Sequence, residues 1–143
     1  MTEIPADVRT VIESGALAHL VTLNPDGSPQ VSCIWVGLDG DELVSGHLNG
    51  GQRKLRNVRR DPRVSLSFEA TQGDTAGMRH YVVLRGRARL TEGGAADLLQ
   101  RLAYTYIGPG VTFPPMSDPP PGFVMHIEVD RVCLLYTSDA ADE

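Results

Sequence analysis

Short apolar runs separated by tight turns constrain this chain more than any other feature. In "AHLVTLNPDGSPQVSCIW" a Pro-Asp-Gly-Ser-Pro turn lies between two runs rich in β-branched and aromatic residues. Asp and Gly tolerate the left-handed backbone that a tight hairpin needs, so the two runs are expected to pair antiparallel. The second run alternates, with Val31, Cys33 and Trp35 on one face and Ser32, Ile34 and Val36 on the other. "DGDE" makes another tight turn, and "ELVSGHL" follows as a third strand. Three strands joined in this way predict an antiparallel meander.

The rest of the chain continues the pattern. "RVSLSFEA" sets Val64, Leu66 and Phe68 against Arg63, Ser65 and Ser67, a half-buried strand. "TQGDTAGMR" reads as a polar loop. "HYVVLRGRARLT" is a long strand with Gly86 at a bend or bulge, and "FVMHIEVDRV" is a final strand. Three segments have helical spacing instead. "ADVRTVIESG" carries Val8, Val11 and Ile12 and closes at Gly15. "QRKLRNVRR" starts after Gly50 and Gly51 and stops before Pro62. "GGAADLLQRLAYTYIG" is amphipathic through Leu98, Leu99, Leu102 and Ala103. The segment after it, "PGVTFPPMSDPPPG", holds six of the ten prolines and is expected to be irregular. About six mostly antiparallel strands with three connecting helices predict a small β-barrel of the α+β kind. A length of 143 residues suits one such domain.

Several function classes are set aside at this level. The chain has no G-x-S-x-G, no G-x-x-x-x-G-K-[ST] and no H-E-x-x-H. His19, His47, His80 and His126 are scattered, with no carboxylate or Cys at ligand spacing, so no metal site and no built-in nucleophile are expected. No apolar run approaches the roughly 18 residues that span a bilayer. Cys33 and Cys133 are the only cysteines and suggest reduced thiols in a cytoplasm. A pI near 5.3 argues against general nucleic-acid binding. What remains is a chain expected to take its chemistry from a cofactor.

Six of the 13 Lys and Arg residues fall between Arg53 and Arg63, although the formal charge is -5. On a helix, Arg53, Arg56 and Arg60 share a face, while Leu55 and Val58 share another and should pack on the barrel. Arg53 and Lys54 occupy the first turn, where cations oppose the helix dipole by roughly 0.3–1 kcal/mol each at exposed sites. A bound phosphate would compensate them, and the two glycines let a ligand approach the free N–H groups. Arg59 and Arg60, at the other end, complement the dipole and need no ligand. A pocket nearby is expected to be lined by Trp35, Tyr104, Tyr106 and parts of the Pro-rich loop.

These segments carry a resemblance. "GSPQVSCIWVGLDGDEL", "GGQRKLRNVRRDPRVSLSFEA" and "YVVLRGRARLTE" resemble the pyridoxamine 5′-phosphate oxidase-like split-barrel superfamily, in particular its actinobacterial branch that binds the deazaflavin coenzyme F420. K-x-R-N-x-R-R-D-P-R is the most specific block. The resemblance implies a homodimer of six-stranded split barrels with cofactor at the subunit interface. It implies hydride transfer from reduced F420 to a small organic acceptor, the alternatives being an FMN-dependent flavoprotein or a non-catalytic flavin, F420 or haem carrier. It places Gln30, Ser32 and Cys33 on the strand facing the cofactor ring, and His47 near the cofactor at the end of the third strand. Gln52, Arg53 and Lys54 would hold its phosphate, and Tyr81 would stand beside the ring or its side chain.

The end of the chain reads differently. Residues 133–143, "CLLYTSDAADE", show no hydrophobic period and resemble the in-frame translation of a sequencing-library adapter. Residues 1–132 are therefore taken as the barrel domain and 133–143 as a non-native tail, past which the native chain is expected to differ.

Overall fold

The computed structural model describes residues 2–70 and 80–136. The loop read from "TQGDTAGMR" and the last seven residues lie outside the described residues. The elements run α1 (Ala6–Glu13), β1 (Ala18–Leu23), β2 (Pro29–Ile34), β3 (Gly37–Asp39), β4 (Glu42–His47), α2 (Arg53–Arg60), β5 (Arg63–Glu69), β6 (His80–Glu92), α3 (Ala95–Tyr106) and β7 (Phe123–Tyr136). The strands form one sheet in the order β2-β1-β5-β6-β7-β4-β3, with every neighbouring pair antiparallel. β2 and β3 stand at opposite ends of that order, yet only Trp35 and Val36 separate them in the chain. The covalent chain therefore joins the two ends of the sheet, and the architecture is a split barrel.

This closure corrects the expected three-strand meander. The hairpins β1–β2 and β3–β4 form as the turns dictate, but they lie on opposite sides of the seam. The long second strand breaks in two because a distant side chain takes the backbone groups that would continue its ladder. The Tyr106 hydroxyl accepts the Val36 N–H at 3.0 Å and lies 3.1 Å from the carbonyls of Val36 and Ala16. The same break turns six expected strands into seven among the described residues.

The barrel interior follows the alternation. Val64, Leu66 and Phe68 of β5 are buried, and their partners across β1 and β6 are the buried Leu20, Ala18, Leu84 and Val82. Each of these Val, Leu and Phe side chains removed from water contributes about 1.5–3 kcal/mol before chain entropy is subtracted. On β2 the inward set is Ser32 and Ile34, and Val31 and Cys33 face out. α1 adds Val8 and Ile12 to the core, and α2 adds Leu55 and Val58 as its spacing predicts. Asn57 on α2 is also buried and is held by donating to Thr22 Oγ1 and Asn24 Oδ1, both at 3.0 Å.

Gly86 marks a bulge, as expected. The β6–β7 register steps from Arg85↔Arg131 to Gly86↔Val129, leaving Asp130 as the extra residue. A Cβ on Gly86 would stand 2.1 Å from the Glu128 carbonyl oxygen, so only glycine fits. β7 itself runs four residues past Val132. Its pairing with β6 extends through Val83↔Cys133 and Val82↔Leu134 to His80↔Tyr136, so the sheet does not end at the expected domain boundary.

Candidate functional site

One cavity collects much of the expected chemistry. It measures about 250 Å3 and is lined by Leu17, Cys33, Ile34, Trp35, Gly46, His47, Lys54, Leu99 and Phe113. The end of β2 supplies Cys33 and Ile34, β4 supplies Gly46 and His47, and the first turn of α2 supplies Lys54. Gly46 lets α3 come close, since a Cβ there would lie 3.0 Å from both the Ala95 carbonyl oxygen and Leu99 Cγ. One wall is thus apolar and aromatic, and the other carries a thiol, an imidazole and an ammonium.

The polar wall is tuned by burial. His47 is 6% exposed, and its Nε2 lies 2.8 Å from the buried Ser45 hydroxyl. Burial first, and the nearby Lys54 cation second, push its pKa down to about 4, so the ring is neutral at ordinary pH. Gln52 acts weakly in the opposite sense, and its contact with the ring falls short of hydrogen-bond geometry. Lys54 is half-buried, and desolvation lowers its pKa. It has no hydrogen bond or ion pair among the described residues. The Gln52 amide oxygen and the Ser32 hydroxyl oxygen are buried, likewise without a partner.

The other basic residues divide by geometry. Arg53, expected beside Lys54, is exposed and turned towards the β1–β2 turn. There Asp26, held low chiefly by Ser28, also feels its charge. Adjacent helix positions differ by about 100° in direction, and of the two cations only Lys54 lines the cavity. Arg59 donates to the Gly50 carbonyl at 2.8 Å and lies 5.1 Å over the Phe123 ring. Arg60 donates to the carbonyl of Leu23 and to Asn57 Oδ1. Both are structural, in keeping with the sequence reading. Arg56 is exposed and without such a partner among the described residues. At the helix start the Gly51 N–H is already taken by Asn49 Oδ1 at 2.9 Å, leaving the N–H groups of Arg53 and Lys54 as the open donors.

Of the expected site residues, Cys33, His47 and Lys54 line the cavity, and Gln52 stands behind His47. Ser32 is next to Cys33 but points into the barrel. Gln30 is engaged with Thr22, whose hydroxyl lies 3.0 Å from its amide oxygen. Tyr81 stands on β6, three strands from β2 in the sheet order, opposite Glu69 and Leu135.

The expected aromatic lining needs correction. Tyr104 is 66% exposed on the far side of α3. Tyr106 is committed to the strand break, where its ring stacks on Trp35 with centroids 5.4 Å apart and planes 8° from parallel. Trp35 itself lines the cavity, joined by Phe113 at 5.0 Å. Sequence reasoning pointed to the Pro-rich loop but not to Phe113, and it missed Leu17, Ile34, Gly46 and Leu99. An apolar residue inside a Pro-rich loop was the available signal for Phe113. Leu99 read only as a core position of an amphipathic helix.

Comparison with known proteins agrees with this geometry. The family model described as pyridoxamine 5′-phosphate oxidase matches residues 4–136. Among solved structures, an F420 reductase superposes with a TM-score of 0.71 at 24% identity, covering 91% of this chain and 98% of that one. A conserved hypothetical protein from Mycobacterium tuberculosis gives 0.70 at 24% identity, over 94% and 85%. A heme binding protein from Mycobacterium smegmatis gives 0.65 at 23% identity, over 94% of this chain but 55% of the other. At these identities the structures speak for the fold. A barrel closed at Trp35, a cavity at the start of the basic helix and a match over nearly the whole chain place this protein in the pyridoxamine 5′-phosphate oxidase family.

Proposed function

We propose that this protein is an oxidoreductase that binds coenzyme F420 and transfers a hydride between it and a small organic acceptor. The observation that carries the reading is the wall formed by Lys54 and His47, with the buried Gln52 amide behind it. A half-buried ammonium, a neutral imidazole and a buried amide oxygen lack protein partners for part of their hydrogen-bonding capacity, opposite an aromatic wall. Buried polar groups are normally satisfied, so this set fits a flat heteroaromatic ligand that carries an anionic side chain. When bound, the cofactor supplies the hydride chemistry, and the chain supplies the setting. Lys54 and the open N–H groups of the first turn of α2 hold the anionic side chain, with Arg53 adding long-range attraction. His47, kept neutral, offers a ring nitrogen without adding charge. Trp35 and Phe113 exclude water and offer a face for the acceptor. No residue here is assigned a nucleophilic role.

FMN is the competing cofactor. Arg53 and Arg56, exposed beside Lys54, favour the longer and more anionic F420 side chain by long-range attraction. A non-catalytic carrier is the competing role, as one structural neighbour is a heme binding protein. Two copies would pair through the outer face beside the cavity, where Leu17 is 49% and Val31 59% exposed next to Cys33. The deciding experiment incubates the purified protein separately with F420, FMN and haem, then reads absorbance after gel filtration. Co-elution of F420 as a dimer supports the reading. Co-elution of FMN or haem instead, or of none of the three, refutes it.

A further inference from the structure

A second basic site lies elsewhere on the outer face of the barrel, over β1, β5 and β6. The register places Arg63 directly opposite Arg87, and Arg85 directly opposite Arg131. All four are exposed. Like charges directly across a strand pair repel, so two such pairs side by side are an arrangement that folding alone does not favour. One arginine is neutralised locally: Arg63 makes a paired contact with Asp61, the closest at 2.7 Å. The bulged Asp130 reaches Arg87 only at 4.0 Å. Arg85 and Arg131 have no hydrogen bond or ion pair among the described residues. Beside them is an open groove of about 380 Å3, lined by the outward side chains of Val21 and Leu23 and by Arg63, Arg85 and Arg87. Ser65 lines it as well. The groove shares no lining residue with the Lys54 cavity.

We propose that this groove binds a small organic anion with an apolar body, such as an aryl or acyl phosphate or carboxylate. Arg85 is the principal contact, supported by the Ser65 hydroxyl, while Arg131, paired with Arg85 across β6 and β7, adds charge from outside the lining. The groove is larger than inorganic phosphate needs, and its apolar lining rewards a hydrophobic body. Asp130 disfavours an anion at the Arg87 end, which directs the charged group to Arg85.

The test is a titration of the full chain with phenyl phosphate, benzoate, inorganic phosphate and phenol, followed by backbone amide NMR. Saturable shifts are expected at Ser65, Gly86 and Arg87. Phenyl phosphate or benzoate should bind more tightly than phosphate or phenol, and the comparison of those two identifies the preferred head group. Arg85→Gln should weaken binding about tenfold or more, the effect of losing one charge-assisted contact. Arg131→Gln should weaken it less, and Lys54→Ala should leave it unchanged. The proposal fails if no groove amide shifts saturably, if the shifts map to His47 and Lys54, or if Arg85→Gln binds as wild type does. It also fails if Arg85→Gln mainly changes the sedimentation of the protein, because the arginines would then serve pairing between copies. None of these outcomes depends on which cofactor the other cavity holds.

Discussion

Protonation of His47 should be a principal source of acid instability in this protein. The unfolded imidazole titrates near 6.5, and the folded one is pushed down to about 4 by burial and the Lys54 cation. A base whose folded pKa is lowered binds its proton more readily when unfolded. Its destabilising effect is therefore absent above about pH 6.5, grows as pH falls through the window, and is complete below about 4. The full displacement of about 2.5 pH units corresponds to about 3 kcal/mol, and the loss between pH 7 and about 4.5 to about 2 kcal/mol. The assay is urea unfolding at a series of pH values for the wild type and His47→Gln, a variant that can still accept from Ser45. Wild-type stability should fall as pH drops through this window, and the variant should be flatter by about 2 kcal/mol between the two ends. Carboxylates held low by partners, such as Glu42 beside Arg89, add acid sensitivity to both proteins and cancel in the difference. Parallel stability curves for the two proteins would show that His47 is not buried neutral beside Lys54. That result would also remove the main electrostatic argument about the cavity.

Other variants address separate parts of the structure. Lys54→Ala should weaken cofactor binding about tenfold to a hundredfold, measured by fluorescence titration, since a charge-assisted contact contributes roughly 1.5–3 kcal/mol. Arg53→Ala should lose less, and Arg56→Ala is the control for long-range attraction alone; equal small losses for all three would make the cluster a solvated surface. Arg59→Ala is unsuitable as that control, because Arg59 holds Gly50 and stacks on Phe123. Gly86→Ala should destabilise the barrel by about 2 kcal/mol or more in urea unfolding, since its methyl meets the backbone of β7. Wild-type stability in that variant would show that the bulge relaxes freely. We further propose that residues 137–143 are dispensable, so ending the chain after Tyr136 should leave the melting temperature unchanged. Ending it after Val132 should lower it, because the pairs of Val82, Val83, Tyr81 and His80 with β7 are lost; equal melting temperatures would refute that role.

Where one local rule decided the structure, the sequence was readable. β5 alternates without exception, and it is a half-buried strand. The Asp-Gly turn made its hairpin, and Leu55 and Val58 packed on the barrel at helical spacing. The strand break at Trp35 was not readable, because its cause lies 70 residues away in the Tyr106 hydroxyl. The extension of β7 was missed for a related reason. At the open end of the barrel both faces are partly wet, with Leu134 39% exposed, so burial imposes little period on "CLLY".

The candidate site divides in the same way. Composition and position pointed to a cation at the start of α2, but only the helix phase decides that Lys54 and not Arg53 faces the cavity. The importance of His47 comes from what surrounds it, not from its spacing to any partner in sequence. Ser45 two residues before it, Gln52 five after it and Lys54 seven after it share that space because β4 ends where α2 begins. A lone histidine in a strand is ordinary. A histidine kept neutral beside a half-buried lysine means that the cavity carries one positive charge and not two. A single phosphate-bearing ligand can balance that charge, and a doubly protonated wall would have required more.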